Sequence, residues 1–342
     1  MGWRGVAYRA VRPLLFLADA EGVHHATLRL LDATAATAPG RALCRFASGA
    51  GPSLGAATVF GLAFRNRVGL GAGFDKDGEA IAGWAALGIG FVELGTVTPL
   101  PQPGNRRPRL ARLPADRALV NRMGFNNAGA ATLAASIERV RGRLPADFVV
   151  GVNIGRGRDT SDADAIADYV AAATAVAPVA DYLAINVSSP NTPGLRGLQD
   201  PETLRRLVEA VAATAPSRPV LVKLSPDLAD TAFAAAVDAV AASPAVGLVL
   251  SNTTLAREGL ATRRLPEWGG VSGRPLHARM LQAVQRARQI AGERLTLVGS
   301  GGIESGADAR AARDAGADLV QLWTGLVYAG PALIGDAIRR TT

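Results

Sequence analysis

The sequence predicts an α/β protein, a (β/α)8 TIM barrel carrying a small N-terminal helical extension. Three observations point there. From about residue 59 onward, apolar strand-like runs alternate with Ala-rich helical stretches; eight such units fit in the 342 residues; and the first 50 residues do not share the rhythm. A strand buried on both faces reads as an unbroken apolar run, so alternation with helices marks a parallel sheet covered on both sides. Eight units of this size favour a closed barrel over an open, doubly wound sheet. In either architecture, ligand chemistry belongs at the C-terminal ends of the strands.

Strands are predicted at 67–71, 91–97, 148–154, 182–187, 220–224, 247–250, 295–299 and 319–323. Helices are predicted at 79–87, 128–141, 162–177, 202–215, 228–242, 277–291, 307–315 and 332–340. Ahead of them lie two short amphipathic patterns, 8–17 and 23–31. Stretches rich in Ala, Thr, Pro and Gly (33–40) and then Ser and Gly (48–55) read as linker. The division expected is therefore a helical segment and linker at 1–50 and a barrel at 51–342.

Composition excludes several classes. The formal charge is +8, but the arginines are spread through every segment without a dense basic run interleaved with aromatics. That pattern argues against nucleic acid and for a small anionic ligand or lipid headgroups. The lone Cys44 rules out an internal disulfide framework and a four-cysteine metal site within this chain, and fits a reducing compartment. His24, His25 and His277 lack ligand spacing, so no metal is expected, and none ends a strand as a Ser-His-Asp arrangement would require. No apolar stretch approaches the ~20 residues that span a bilayer, and no signal-peptide cleavage site follows the short run 13–18.

Only two lysines occur, Lys76 and Lys223, in a sequence that otherwise writes positive charge as arginine. Lys76 follows the first strand and Lys223 sits near the end of the fifth, where a barrel builds its site. An ammonium and a planar guanidinium are not interchangeable against a fixed ring or carbonyl. The alternative is chance retention on the surface, which the apolar strand around Lys223 opposes. Asparagine repeats the pattern. Of nine, Asn153, Asn186 and Asn252 end strands three, four and six, and Asn121, Asn126 and Asn127 share one loop. Asparagine is a poor strand former. Turn capping is one explanation; amides converging on a planar heterocycle with donors and acceptors is the other. Glycine-rich stretches after strands seven and eight, 299–302 and 323–325, fall where many barrels hold phosphate. Gly71-Ala72-Gly73 is not a dinucleotide fingerprint, because the third glycine is misplaced.

Two motifs, Asn121-Arg122-Met123-Gly124-Phe125-Asn126-Asn127 and Asn186-Val187-Ser188-Ser189-Pro190-Asn191-Thr192-Pro193-Gly194-Leu195-Arg196, carry a family resemblance. The chain resembles the quinone-dependent, membrane-associated dihydroorotate dehydrogenases essentially end to end. Supporting matches include Ala72-Gly73-Phe74-Asp75-Lys76, Gly151-Val152-Asn153-Ile154-Gly155 and Gly269-Gly270-Val271-Ser272-Gly273-Arg274-Pro275-Leu276. The resemblance implies oxidation of dihydroorotate to orotate in pyrimidine biosynthesis, with hydride passing to FMN and electrons on to a membrane quinone. FMN would be held by Ala72, Gly73, Phe74, Asp75, Lys76, Thr96, Asn153, Asn186, Lys223, Ser251, Gly273, Gly302, Trp323 and Thr324. Substrate would meet Lys76, Asn121, Arg122, Met123, Gly124, Phe125, Asn186, Asn191, Asn252 and Thr253. Ser189 would be the catalytic base; the cytosolic class usually has cysteine there, so serine points to quinone. Thr192 and an ordered water would carry its proton onward. Ser251 replaces the usual threonine, and Trp323 the usual tyrosine beside the flavin. Residues 1 to about 40 would form a helical lid over an apolar quinone tunnel, with His24 and Arg112 near its inner end. The implied protein is a monomer, peripheral on the cytoplasmic side of the cell membrane. Two alternatives remain at this point: a flavin barrel using fumarate or NAD, and a phosphate-binding barrel that binds or isomerises a sugar phosphate.

Overall fold

A computed structural model describes residues 3–51 and 55–342. Three helices come first: α1 (Trp3–Leu17), α2 (Ala20–Ala35) and α3 (Ala38–Ser48). An antiparallel hairpin follows, β1 (Ala57–Val59) and β2 (Leu62–Phe64). The body then runs β3 (Val68–Leu70), α4 (Ile81–Ala86), β4 (Phe91–Val97), β5 (Leu110–Leu113), β6 (Ala118–Asn121), α5 (Ala130–Arg141) and β7 (Val149–Ile154). It continues with α6 (Ala165–Val176), β8 (Tyr182–Asn186), α7 (Pro201–Thr214), β9 (Val220–Leu224), α8 (Asp230–Ala241), β10 (Gly247–Leu250) and β11 (Gly270–Gly273). The last elements are α9 (His277–Ala291), β12 (Thr296–Ser300), α10 (Gly306–Asp314), β13 (Leu319–Leu322), α11 (Thr324–Ala329) and α12 (Ala332–Thr341).

Strands β3, β4, β7, β8, β9, β10, β12 and β13 close into one parallel barrel, and each corresponds to a predicted strand. The interior alternates large and absent side chains. A Cβ on Gly151 would lie 2.0 Å from the Tyr182 ring, and one on Gly69 would lie 2.4 Å from Phe91. The two glycines therefore make room for the rings that fill the lower barrel. Below them the hairpin seals the N-terminal end: Phe64 packs edge-on against Phe91 at 5.5 Å and Phe60 against Tyr182 at 5.6 Å. The opposite end stays open.

Several elements were not foreseen. Helix α3 occupies part of the stretch read as linker. Thr37 caps it by accepting from Gly40 N–H at 3.1 Å, and Pro39 sits in its first turn. Proline is compatible with that position because the first-turn N–H groups have no intrahelical acceptor. Gly49, at φ +67, ends the helix, so the expected linker shrinks; its residues 52–54 lie outside the described residues. Strands β5, β6 and β11 form a separate antiparallel sheet, order β11-β6-β5, within long loops over the barrel mouth. Each has four residues and carries arginine, asparagine or glycine, so no apolar run announces it.

The leading helices lie against the barrel. Tyr8 donates to Val327 O at 2.8 Å and Arg12 to Tyr328 O at 2.9 Å, holding α1 to α11. Outward, α1 exposes Val6, Val11, Leu14 and Leu17, α2 exposes Leu30, and α3 exposes Leu43 and Phe46. Among the described residues no helix is long and apolar enough to cross a membrane.

Candidate active site

The open end of the barrel holds a cleft of about 1140 Å³, open solvent at its mouth included. Its floor is polar. Glu93 on β4 is fully buried and accepts hydrogen bonds from Asn153 Nδ2 (2.9 Å), Gln321 Nε2 (2.7 Å) and the Tyr182 hydroxyl (3.2 Å). The Lys223 ammonium lies 3.9 Å from the same carboxylate, itself almost fully buried. Parallel register sets this up: β8 and β9 pair Asn186 with Lys223, and β4 and β7 pair Gly95 with Asn153. Burial pulls Lys223 below the usual lysine range, and the charge of Glu93 offsets only part of that shift.

A connected line of amides rises from that floor. Asn153 Oδ1 accepts from Thr96 Oγ1 and from Asn186 Nδ2, the latter at 3.1 Å. Asn186 Oδ1 takes the Ser188 N–H and hydroxyl at 3.2 and 2.9 Å. Ser188 Oγ accepts from Asn252 Nδ2 at 2.9 Å, and Asn252 Oδ1 from Thr253 N–H at 2.7 Å. Ser189, next along the loop, faces the cleft with its Oγ accepting the Asn191 N–H at 3.2 Å. Asn191 reaches the end of β6, donating to Asn121 O at 3.2 Å. Arg196 binds the two loops together, donating to Ser188 O (3.1 Å), Thr253 O (3.3 Å) and Asp227 (3.0 Å).

On the opposite wall Gly301, Gly302 and Gly325 line the cleft beside Thr324 at the start of α11. Gly302 has φ +68, and a Cβ there would lie 2.5 Å from His277 N, so only glycine fits. Trp323 donates its Nε1–H to Ala72 O at 3.0 Å, which ties the first barrel loop to the last.

The second helix borders the mouth. Glu21 and His24 of α2 both line the cleft. Glu21 is buried and ion-paired with Arg109 at 2.7 Å and Arg107 at 3.0 Å. Burial would push this carboxyl up, but Arg109 and then Arg107 hold it below the usual range. His24 packs edge-on against Phe74 at 5.0 Å. Burial, then the charge of Lys76, lowers it to about 3, so the imidazole is neutral at physiological pH. Burial also brings Lys76 down to about 8.

Of the residues expected from sequence to hold FMN or substrate or to act as the base, nineteen line this one cleft: Ala72, Gly73, Lys76, Thr96, Asn121, Met123, Gly124, Phe125, Asn186, Ser189, Asn191, Lys223, Ser251, Asn252, Thr253, Gly273, Gly302, Trp323 and Thr324. Four side chains lie elsewhere. Asp75 turns away, accepting from Glu79 N–H, Ala80 N–H and Trp84 Nε1–H to organise the turn into α4. The Phe74 ring packs among Trp84, Trp323 and His24. Arg122 donates to Pro108 O and lies over Trp268 at 4.5 Å. Asn153 sits one layer beneath, reaching the cleft through Asn186. Sequence reasoning gave no role to Glu93 or Gln321, although a charge or carboxamide inside an apolar strand was a usable signal. Glu21 carried none, since an acidic residue in a first helical turn is ordinary.

Whether these residues fit a cofactor is answered by what they leave unmade. Among the described residues Gln321 Oε1 and Thr253 Oγ1 are buried and without hydrogen-bond partners, and both residues line the cleft. Buried polar atoms are nearly always satisfied, so a planar group with its own donors and acceptors suits the floor. Glycine loops beside a hydroxyl suit a phosphate. A flavin nucleotide has both parts.

A family model for dihydroorotate dehydrogenase matches residues 55–341. The chain belongs to the dihydroorotate dehydrogenase family. Members of this family are flavin-dependent oxidoreductases. The quinone dihydroorotate dehydrogenase of Mycobacterium tuberculosis is 48% identical over 325 residues, covering 94% of this chain and 90% of that one. The enzyme of the same name from Chloroflexus aurantiacus is 47% identical over 341 residues, covering 94% and 92%. A crystal structure of DHODH from Eimeria tenella in complex with ferulenol superposes with a TM-score of 0.80 at 36% identity, covering 83% of this chain and 82% of that one.

Proposed function

We propose that this protein oxidises dihydroorotate to orotate in pyrimidine biosynthesis, using FMN and passing the electrons to a membrane quinone. One observation carries the reading: both lysines, the strand-end carboxamides Asn186 and Asn252, and Ser189 line a single cleft in which Gln321 Oε1 and Thr253 Oγ1 are left unpaired. FMN supplies the two-electron acceptor for the hydride that leaves C6 of the substrate.

The chain does the rest. Asn121, Asn191, Asn252 and Thr253 hold the pyrimidine by its amide edges, with Met123, Gly124 and Phe125 against it. Lys76 neutralises the substrate carboxylate, and Lys223 offers charge to the ring that becomes electron-rich. Ser189 takes the proton from C5. An N–H aimed at its Oγ stabilises the deprotonated form, and burial of Ser189 and Phe125 keeps bulk solvent away. The proton leaves through Thr192, also buried, and a bridging water. Ala72, Gly73, Thr96, Ser251 and Trp323 border the ring, while Gly273, Gly302 and Thr324 hold the phosphate.

Residues 1–50 form the acceptor's entrance and 51–342 the barrel. The exposed apolar side chains of α1, α2 and α3 dock the protein on the cytoplasmic face of the membrane as a peripheral monomer. His24 and Arg112 border the quinone path; Arg112 donates to Ala18 O at 2.7 Å between α1 and α2.

The purified protein should be yellow, bleach anaerobically with dihydroorotate, and recover its colour with a ubiquinone or menaquinone analogue. Recovery with fumarate or NAD instead would reassign the acceptor, and a colourless protein that takes up no FMN would remove the flavin altogether. A second expectation concerns pH. Lys76 is charged below about 8 and neutral above it, whereas the substrate carboxylate stays anionic throughout. The KM for dihydroorotate should therefore climb as pH rises past about 8, approaching about tenfold per unit. A flat KM between pH 7 and 10 would remove Lys76 from the carboxylate.

A further inference from the structure

We propose that Glu93 is a positioning residue: one buried carboxylate on the barrel floor orients Gln321, Asn153 and Lys223 together, and so makes Gln321 Oε1 a hydrogen-bond acceptor for a ring N–H of the bound flavin. The inference rests on a flavin occupying the cleft.

An ionised carboxylate only accepts, whereas a carboxamide has one accepting and one donating end. Glu93 takes Gln321 Nε2 at 2.7 Å and Asn153 Nδ2 at 2.9 Å, so both amides must turn their NH2 ends down. Their oxygens then point away from the carboxylate. For Asn153 that oxygen receives Asn186 Nδ2, which in turn commits Asn186 Oδ1 to Ser188. One anion thus sets the polarity of a line of amides running from floor to substrate wall. For Gln321 no protein donor receives the oxygen: Oε1 is buried and unpartnered among the described residues.

Space and charge agree. A Cβ on Gly71 would stand 3.2 Å from Gln321 Oε1 and 3.5 Å from Trp323 Cδ1, so glycine keeps that approach clear. Lys223, on the same floor, has Glu93 as its nearest carboxylate at 3.9 Å, which keeps the ammonium on the side of the cleft without binding it directly. Tyr182, whose hydroxyl also donates to Glu93, closes the carboxylate from below and leaves it no access to water.

Glu93→Gln is the test, because glutamine keeps the shape but can donate, which permits both amides to flip. Apoprotein of each variant is titrated with FMN by flavin fluorescence, and the midpoint potential of bound flavin is measured. Glu93→Gln is expected to weaken FMN binding at least tenfold and to raise the potential, since an anion is withdrawn from beneath a ring that gains charge on reduction. Gln321→Met, which keeps Glu93, should weaken FMN without the same change in potential and covers the case in which Glu93→Gln does not fold. Combining the two should cost less than the sum, as expected of groups acting through one contact. Unchanged affinity in Gln321→Met, or unchanged affinity and potential in folded Glu93→Gln, overturns the proposal. Wild-type protein that binds no FMN overturns the flavin reading instead.

Discussion

Ser189→Ala should retain FMN and its yellow colour yet lose dihydroorotate-driven bleaching by about 10²–10⁴-fold, the usual contribution of a positioned general base. That range corresponds to about 3–5 kcal/mol of barrel-imposed barrier lowering. Ser189 Oγ accepts from Asn191 N–H within a loop whose Ser188 carbonyl is held by Arg196, and the Ser188 side chain is already committed to Asn186 and Asn252. Of the two serines, Ser189 is the one that lines the cleft. Removing its hydroxyl deletes the base and leaves the amide line beneath intact, so affinity for FMN and for orotate should hardly change. Stopped-flow absorbance at the flavin band separates the outcomes. Bleaching at a near-normal rate would dismiss Ser189 as the base.

Glu21→Ala should uncouple the two half-reactions. The Glu21–Arg109 pair joins α2 to the loop ahead of β5, and both side chains are almost fully buried. Breaking a buried pair by removing one partner commonly costs about 3–5 kcal/mol, because the remaining charge stays desolvated. Here the stranded group is Arg109, whose guanidinium also donates to Pro103 O and Asn105 O. Asn105 in turn donates to Arg122 O at 2.8 Å, behind the loop bearing Met123 and Gly124. The penalty should fall on α2 first, since that helix is held by few such contacts while the loop has others. Quinone turnover should drop strongly, with substrate-driven bleaching slowed much less. Hydrogen exchange across 20–35 should rise in parallel. Intact quinone turnover together with unaltered exchange would mean that α2 is not a gate.

Local chemistry made much of this readable in advance. The barrel strands could be placed because burial on both faces makes each a nearly continuous apolar run, broken only at a few positions such as Glu93, Lys223 and Gln321, and this signal does not depend on neighbours. Lys76, Lys223 and the strand-end asparagines stood out because each breaks a local habit of the chain. Asp75 and Arg122 misled for the complementary reason. Each belongs to a loop motif several of whose members face the cleft, but the direction of its own side chain was decided by partners outside the motif: the turn into α4 for Asp75, and Pro108 O with Trp268 for Arg122. Helix α3 was missed because proline and glycine read as linker unless the capping threonine is already known to be a cap.

What the amino-acid order determined by itself was the barrel, the open end that bears the chemistry, and most residues of the cleft, since periodicity and composition are properties of short segments. What the tertiary structure decided was the side sheet that delivers Asn121, the Glu21–Arg109 pair at the mouth, and the Glu93 floor. Each depends on a pairing between residues more than fifty positions apart, β6 with β11 in the side sheet, and no short window of sequence records which distant donor a buried carboxylate will meet.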